Sequence, residues 1–159
     1  MYVLDDTNID MLRENSYNAL MREIERERYQ HEEERRKILD GTYPSNIMQG
    51  RQNKHIEGTH EFNQAREKLQ KETPSAEPNV LLPHIKPQEL LDKHKGTGKI
   101  QFHPSSPEYP REIIKARQNI GKFWIPSKEE YVDTDVFIIV YSKNGTHIFP
   151  TNPRNRRSL

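Results

Sequence analysis

The 159-residue sequence predicts an α+β fold in which a long helix and shorter helices precede a small antiparallel sheet. Two observations support this prediction. In the first half of the chain, apolar residues recur at three- and four-residue steps, which is typical of amphipathic helices. After residue 99, short runs of β-branched and aromatic residues alternate with turn residues, which is typical of strands. We therefore expect the sheet in the second half.

The helices are predicted from periodicity and from the residues that end them. Gly41 is a typical stop for the first and longest helix, and residues 41–52 are expected to form a loop. Pro87 suits the first position of a short helix, and Gly96 ends that helix. The predicted helices span residues 6–40, 61–71 and 88–95. A linker containing Pro and Ser separates the second helix from the third.

The strands are predicted from β-branched and aromatic runs between turn residues. The strongest is 134–141, with the sequence TDVFIIVY, which is apolar on both faces and therefore expected at the centre of its sheet. Asn144 and Gly145 are expected to supply a tight turn to the last strand. The predicted strands span residues 99–103, 112–117, 119–125, 134–141 and 146–149. The basic tail, residues 154–159, is expected to be frayed.

The composition is close to the lower limit for a folded chain. Leu, Ile, Val and Phe together make up 34 of the 159 residues, just above the level of about 20% below which chains usually stay disordered. The net charge of +1 is small but unevenly distributed, with −4 in residues 1–50 and +5 in residues 95–159. A basic C-terminal part suits an anionic partner such as nucleic acid, although an ordinary solvated surface is equally consistent with it.

Several classes of protein are excluded by what the sequence lacks. No apolar run approaches the ~20 residues that span a bilayer, and the first residues lack the basic and apolar regions of a signal peptide. The chain has no Cys, so disulfides and thiolate metal sites are excluded. It also has no nucleotide-binding glycine motif and no metal-ligand spacing. We therefore expect neither a cofactor nor a metal.

Two short stretches place a lysine and a histidine close together. The first is QNKHIEGT, residues 52–59, with Lys54 and His55. The second is YSKNGTHIFP, residues 141–150, with Lys143 and His147 on either side of a predicted turn. A single histidine on a strand is more often structural than catalytic. Two such pairs in one sequence strengthen the case for an acid–base role, but a structural role stays the more common interpretation.

The chain resembles the polymorphic toxin type 50 domain, which occurs in bacterial polymorphic toxins and in phage head-morphogenesis or minor capsid proteins. The resemblance covers about residues 50–153, and its last motif is the most specific. Members often have a histidine where this chain has Val140. The resemblance is carried by QNKHIEGT (52–59), LLDKHKGTGKI (90–100), NIGKFW (119–124) and YSKNGTHIFPTNP (141–153).

The resemblance implies a nuclease fold of the barnase–EndoU–colicin–RelE type, with short helices before an antiparallel sheet of about four strands, and a metal-independent ribonuclease activity. Such chemistry needs a base for the 2′-hydroxyl, an acid for the leaving oxygen and cations for the phosphate. We expect His55 and His147 to be the acid–base pair, and Lys54 and Lys143 to bind phosphate. Ser142, also among the expected catalytic residues, and Thr146 are expected to position the phosphate. The weaker candidates are the substrate-binding cations Lys99, Lys122 and Arg117.

The predicted organisation is a helical stalk, linker or partner-docking region (residues 1–50), a nuclease-like toxin domain (51–153) and the basic tail (154–159). The expected partners are an RNA substrate, an immunity protein and, through residues 6–40, a phage head or portal protein. The expected location is the bacterial cytoplasm or a phage virion. The alternatives are a catalytically weakened nuclease fold that serves as a head or interaction protein, and a non-catalytic nucleic-acid-binding module.

Overall fold

A computed structural model describes residues 6–158, with the side chains of residues 8–155. It divides the chain into two compact units, Met1–Glu34 and Arg35–Leu159. The α+β prediction is confirmed, because a 35-residue helix precedes short helices and two antiparallel sheets.

The first helix, α1 (Asp6–Asp40), has the predicted bounds. Most of its large apolar side chains within the first unit are exposed, among them Met11, Leu12 and Leu20. Its last turn lies in the second unit, where Ile38 is fully buried. No helix among the described residues is long and apolar enough to cross a membrane.

The described part of the second unit contains three further α-helices, with a 3₁₀ turn between the first two of them. They are α2 (Gln49–Gln52), the 3₁₀ turn (Asn53–His55), α3 (His60–Glu72) and α4 (Pro87–His94). The last two lie within one residue of their predicted bounds. The prediction of a loop over residues 41–52 was wrong at its end, because α2 is too short for a helical periodicity to show.

Within residues 6–158, seven strands form two antiparallel sheets. In chain order they are β1 (Val80–Leu81), β2 (Lys99–His103), β3 (Ser106–Lys115), β4 (Gly121–Ile125), β5 (Glu130–Thr134), β6 (Val136–Ser142) and β7 (Gly145–Pro150). The larger sheet has the order β2-β3-β6-β7, and the smaller has the order β1-β4-β5. β6 lies between two neighbours, as its apolar faces predicted.

The strand predictions were wrong in three places. β3 begins at Ser106 instead of residue 112, because its first half pairs with β2 alone and tolerates Pro107 and Pro110. β1 and β5 were missed, since one is two residues long and the other is largely polar. The turn between β6 and β7 consists of Lys143 and Asn144, so Gly145 is already the first strand residue.

The tail was also predicted wrongly. Residues Pro153–Ser158 form a second 3₁₀ segment, whereas a frayed tail was expected. Asn155 holds the start of this segment, because its side-chain amide donates to Thr151 Oγ1 at 3.2 Å and its backbone N–H donates to the carbonyl of Asn152 at 2.9 Å.

One face of the larger sheet is covered by the hydrophobic core. The core joins the last turn of α1, α4 and the alternate residues of the strands that point toward them. Its fully buried members include Ile38, Leu91, Phe137, Ile139 and Ile148. Because one face is closed in this way, the side chains on the opposite face are the ones available to a ligand.

A buried carboxylate ties the core face to the loop after α4. Glu112 on β3 is fully buried, and its oxygens accept from Gly96 N at 2.8 Å, Gly98 N at 2.9 Å and the Tyr141 hydroxyl at 2.5 Å. Arg35, in the last part of α1, donates to the carbonyls of the same two glycines at 2.5 and 2.9 Å. Burial and the charge of Glu112 raise the pKa of Tyr141 well above its ordinary value. The three groups that contact the Glu112 carboxylate are all hydrogen-bond donors, as a buried charge requires.

The outer edge of β7 is covered by the segment before the 3₁₀ turn. Thr146 N donates to the carbonyl of Asn46 at 2.9 Å, and Met48 N donates to the carbonyl of Thr146 at 2.8 Å. The side chain of Gln52, which is fully buried, then continues the pairing with Ile148. Its Nε2 donates to the Ile148 carbonyl at 2.9 Å, and its Oε1 accepts from Ile148 N at 2.8 Å. One side-chain amide thus satisfies both backbone groups of an edge residue.

Replacing Gln52 with leucine should destabilise the protein by about 2–5 kcal/mol, because it leaves a buried N–H and a buried C=O of Ile148 without partners. The free energy of unfolding in urea measures this effect. The matched control is Gln64→Leu on the exposed surface of α3, which should stay within about 0.5 kcal/mol of wild type. Equal stabilities for the two variants would contradict the role given to Gln52.

Candidate active site

The open face of the larger sheet carries a row of four side chains in register. His147 on β7 lies opposite Val140 on β6, Val140 lies opposite Arg111 on β3, and Arg111 lies opposite Gln101 on β2. All four are half-buried, whereas their neighbours Ile148, Ile139 and Glu112 are fully buried on the core face. Strands are spaced by about 4.8 Å, so His147 and Arg111 are about 10 Å apart at their backbones. A long arginine side chain can cross much of that distance.

His55 is brought to the same face by the 3₁₀ turn that follows α2. Its ring stacks on Phe149 of β7, with ring centroids 5.5 Å apart and planes 27° apart. Its Nδ1 lies 3.1 Å from the backbone carbonyl of Asn79. Because a carbonyl can only accept, the geometry assigns the hydrogen of neutral His55 to Nδ1. The unshared pair of Nε2 is therefore free to take a proton.

His147 lies beside the same phenyl ring. Its centroid is 6.3 Å from that of Phe149, with the planes 31° apart. Phe149 thus contacts both imidazoles and holds them on one surface. The two histidines of the two sequence stretches, which are 92 positions apart, meet in the folded chain.

Burial and positive charge lower the pKa of both histidines. For His147, burial is the largest cause, followed by the charges of His55, Arg51, Arg111 and Lys54, and the pKa falls to about 4. For His55, burial also lowers the pKa, the hydrogen bond to Asn79 opposes it, and the charge of Lys54 adds to it. Both imidazoles are consequently neutral near pH 7.

Three cations surround the two histidines. They are Arg51 on α2, Lys54 in the 3₁₀ turn and Arg111 on β3. Among the described residues, no side-chain hydrogen bond or carboxylate pairs with any of them. Burial alone lowers the pKa of the Arg111 guanidinium. A half-buried, unneutralised arginine beside two neutral histidines is an arrangement that suits a bound anion.

We define the His55–His147 cluster as Arg51, Lys54, His55, Arg111, His147 and Phe149. Of the predicted catalytic residues, the structure brings Lys54, His55 and His147 into it. Arg51, Arg111 and Phe149 were not identified from the sequence. Arg51 immediately precedes the first motif and Phe149 lies within the last, so proximity to a motif could have suggested both. Nothing in the sequence singles out Arg111, because only strand pairing places it beside His147.

The other residues of the last motif lie around the hairpin. Lys143 is exposed in the turn, and the charges that act on His147 come from other residues. The Ser142 hydroxyl donates to the Gly145 carbonyl at 2.7 Å and so closes the turn. Thr146 is buried on the core face, where its hydroxyl donates to the carbonyl of Pro44 at 2.7 Å. The structure therefore does not place Thr146 on the face that carries His147.

The remaining predicted cations lie elsewhere. Lys99 and Arg117 line a separate cavity of about 420 Å³ near the end of β3, together with Lys115. Arg117 has a left-handed backbone with φ of 63°. Lys122 is exposed on β4 of the smaller sheet and lines a groove beside Tyr131. These three residues do not join the cluster. Within residues 8–155, no three His, Asp or Glu side chains come together as metal ligands.

The chain matches a known family of proteins. A family model described as bacterial toxin 50 matches residues 47–150. The matched region begins at Ile47, which pairs with Thr146 at the edge of β7, and ends at Pro150, the last residue of β7. It includes every member of the His55–His147 cluster. No curated protein matches the chain.

The lowered pKa of His147 predicts a pH dependence of stability. Between pH 6.5 and about pH 4, the unfolded chain binds a proton at this position and the folded chain does not. The free energy of unfolding should therefore fall as the pH decreases through this window. In His147→Gln the fall should be smaller by roughly 1–3 kcal/mol, allowing for partial solvent exposure.

Urea unfolding at a series of pH values measures this difference. His60→Gln, at an exposed position of α3, is the control and should follow the wild-type curve. If His147→Gln also follows the wild-type curve, His147 does not carry the predicted dependence.

Proposed function

The chain belongs to the bacterial toxin 50 family, and from this membership we propose that it is a toxin that cleaves RNA without a metal ion. The observation that carries the proposal is the pair of neutral histidines held on one phenyl ring among three unneutralised cations. Metal-free cleavage needs a proton acceptor, a proton donor and positive charge around one phosphate. The His55–His147 cluster contains groups for all three.

We assign the base to His55. Its Nδ1 hydrogen is held by the Asn79 carbonyl, so Nε2 carries the unshared pair that removes the proton from the 2′-hydroxyl. The 2′-oxygen then attacks phosphorus, and the bond from phosphorus to the 5′-oxygen breaks. The products are a 2′,3′-cyclic phosphate on one fragment and a 5′-hydroxyl on the other. The need for a 2′-hydroxyl confines this reaction to RNA.

We assign the acid to His147. A bound phosphate introduces a negative charge among Arg51, Lys54 and Arg111, which partly cancels the charges that lower the pKa of His147. The imidazole then takes up the proton that the leaving 5′-oxygen receives. The same three cations stabilise the charge that develops on the phosphate oxygens. Lys143, exposed at the hairpin tip, is suited to a neighbouring phosphate.

The proposed partners follow from this activity. An RNA-cleaving toxin acts in the bacterial cytoplasm, and the cell that makes it needs an immunity protein, for which an acidic surface would match the cations of the cluster. Residues 6–40 are proposed to bind a phage head or portal protein, supported by the exposed apolar side chains of α1.

The alternative is a weakened nuclease fold, and the observation that favours it is Val140, which lies directly opposite His147 where related domains often have a histidine.

We expect the wild-type chain to cleave single-stranded RNA in EDTA and to leave DNA of the same sequence intact. His55→Ala and His147→Ala should each lower the rate by about 10²–10⁴-fold, and Arg111→Gln should lower it by at least about tenfold. Gel analysis of a labelled oligonucleotide measures the rate and identifies the cyclic phosphate. The control is His60→Ala, which changes an exposed histidine outside the cluster.

A requirement for Mg²⁺, or full activity in His147→Ala, would contradict the mechanism. Wild-type chain that binds RNA without cleaving it would support the non-catalytic alternative.

The pH profile of kcat/KM tests the acid–base pair separately. Both histidines have pKa values below 6.5 in the free protein. The active form, with neutral His55 and protonated His147, is therefore most populated at a pH below 6.5. We expect the optimum there. Lys54→Met should move it to higher pH, because Lys54 lowers both pKa values. An optimum above pH 7.5, or no movement in the variant, would exclude this pair.

A further inference from the structure

A cavity of about 470 Å³ opens directly beside His55. α3 forms one wall, the segment before β1 forms another, and the end of β4 forms the third. Its lining is mostly apolar, with two aromatic side chains, Phe123 and Trp124. The volume lies within the range of about 300–1,000 Å³ that is usual for small-molecule sites. The cavity is therefore large enough for a flat heterocyclic ligand.

Phe123 and Trp124 are half-buried and are not part of the main core. Trp124 is held in place by an edge contact with Tyr131, at 5.0 Å between centroids. Its backbone N–H donates to Asn79 Oδ1 at 3.0 Å. The aromatic wall is consequently positioned before any ligand binds.

The polar groups at the cavity suit a nucleotide. The Asn79 Oδ1 is occupied by Trp124, while its Nδ2 has no acceptor among the described residues. That amide can donate to a ring nitrogen or a carbonyl of a base. Lys54, which is exposed, lines the same cavity and can meet a phosphate. His55 belongs to both the cavity and the His55–His147 cluster, so a ligand here lies next to the cluster.

We propose that this cavity binds one nucleobase of single-stranded RNA, adjacent to the phosphate held by the His55–His147 cluster. The inference rests on the proposed function, since it places the base relative to the cleaved bond. Single-stranded RNA is commonly recognised by bases that leave the stack and lie against aromatic side chains. The position of the cavity beside His55 would fix which phosphate reaches the two histidines.

The chain has a single tryptophan, Trp124, so its fluorescence reports on this cavity directly. The probes are nucleoside 3′-monophosphates and a 2′-O-methyl trinucleotide, which lacks the 2′-hydroxyl needed for cleavage. Ribose 5-phosphate, which has no base, is the matched ligand control. We expect saturable quenching by the nucleotides and the trinucleotide, and none by ribose 5-phosphate.

Two variants test the assignment of the site. Phe123→Leu removes one aromatic wall and should weaken trinucleotide binding by about tenfold or more. Ala65→Leu narrows the cavity from α3 without changing β4 and should weaken binding as well. The control is Phe102→Leu, an exposed phenylalanine on β2 that does not line the cavity and should bind as wild type. Urea unfolding of each variant verifies that it is folded.

The outcomes separate this inference from the proposed function, because binding is measured without cleavage. RNA cleavage with no nucleotide-dependent quenching, or equal binding by Phe123→Leu, Ala65→Leu and wild type, would overturn the base site and leave the ribonuclease proposal standing. Quenching that ribose 5-phosphate reproduces would also overturn it. A further outcome is a wild-type chain that shows base-dependent quenching, which both variants lose, and yet cleaves no RNA. That result would support the base site and refute the ribonuclease proposal.

Discussion

The paired hydrogen bonds between Gln52 and Ile148 are the constraint on which the site depends. They attach the segment that carries Lys54 and His55 to the edge strand that carries His147 and Phe149. A side-chain amide can donate through its nitrogen and accept through its oxygen, so it can replace one residue of a neighbouring strand. Because the amide is fully buried, water cannot substitute for it. The stacking of His55 on Phe149 follows from this attachment.

The two faces of the larger sheet have different roles, because one packs on the core and the other carries the candidate site. On the core face, Glu112 gathers donors from the loop after α4 and from Tyr141, so a buried charge serves to fix the chain there. On the open face, Arg111 has no partner among the described residues, although it is adjacent to Glu112 in sequence. The alternation of side chains along β3 is what allows a structural charge and an available charge to lie side by side.

The electrostatics of the open face explain how two histidines can have different tasks. Both are partly buried and both lie near positive charge, so both are neutral in the free protein. They differ in their partners, because the Asn79 carbonyl fixes the proton of His55, whereas the His147 imidazole has no hydrogen bond among the described residues and lies near three cations. In the proposed mechanism, the negative charge of the substrate phosphate partly cancels the charges that lower the pKa of His147. His147 can then act as the acid, while His55 acts as the base. The adjoining aromatic cavity would add a base contact to the same site.

The sequence by itself determined the α+β class, the long first helix, the central strand and the two motifs with their lysines and histidines. These features depend on local periodicity and on residue types that are rare outside particular roles. It did not reveal β1, β5 or the early start of β3, whose short or Pro-containing segments become strands only through their partners. Only the tertiary structure decided that Arg51, Arg111 and Phe149 join the histidines and that Thr146 faces away. The reason is that strand register and the Gln52 attachment, which act between residues far apart in the chain, determine which side chains share a face.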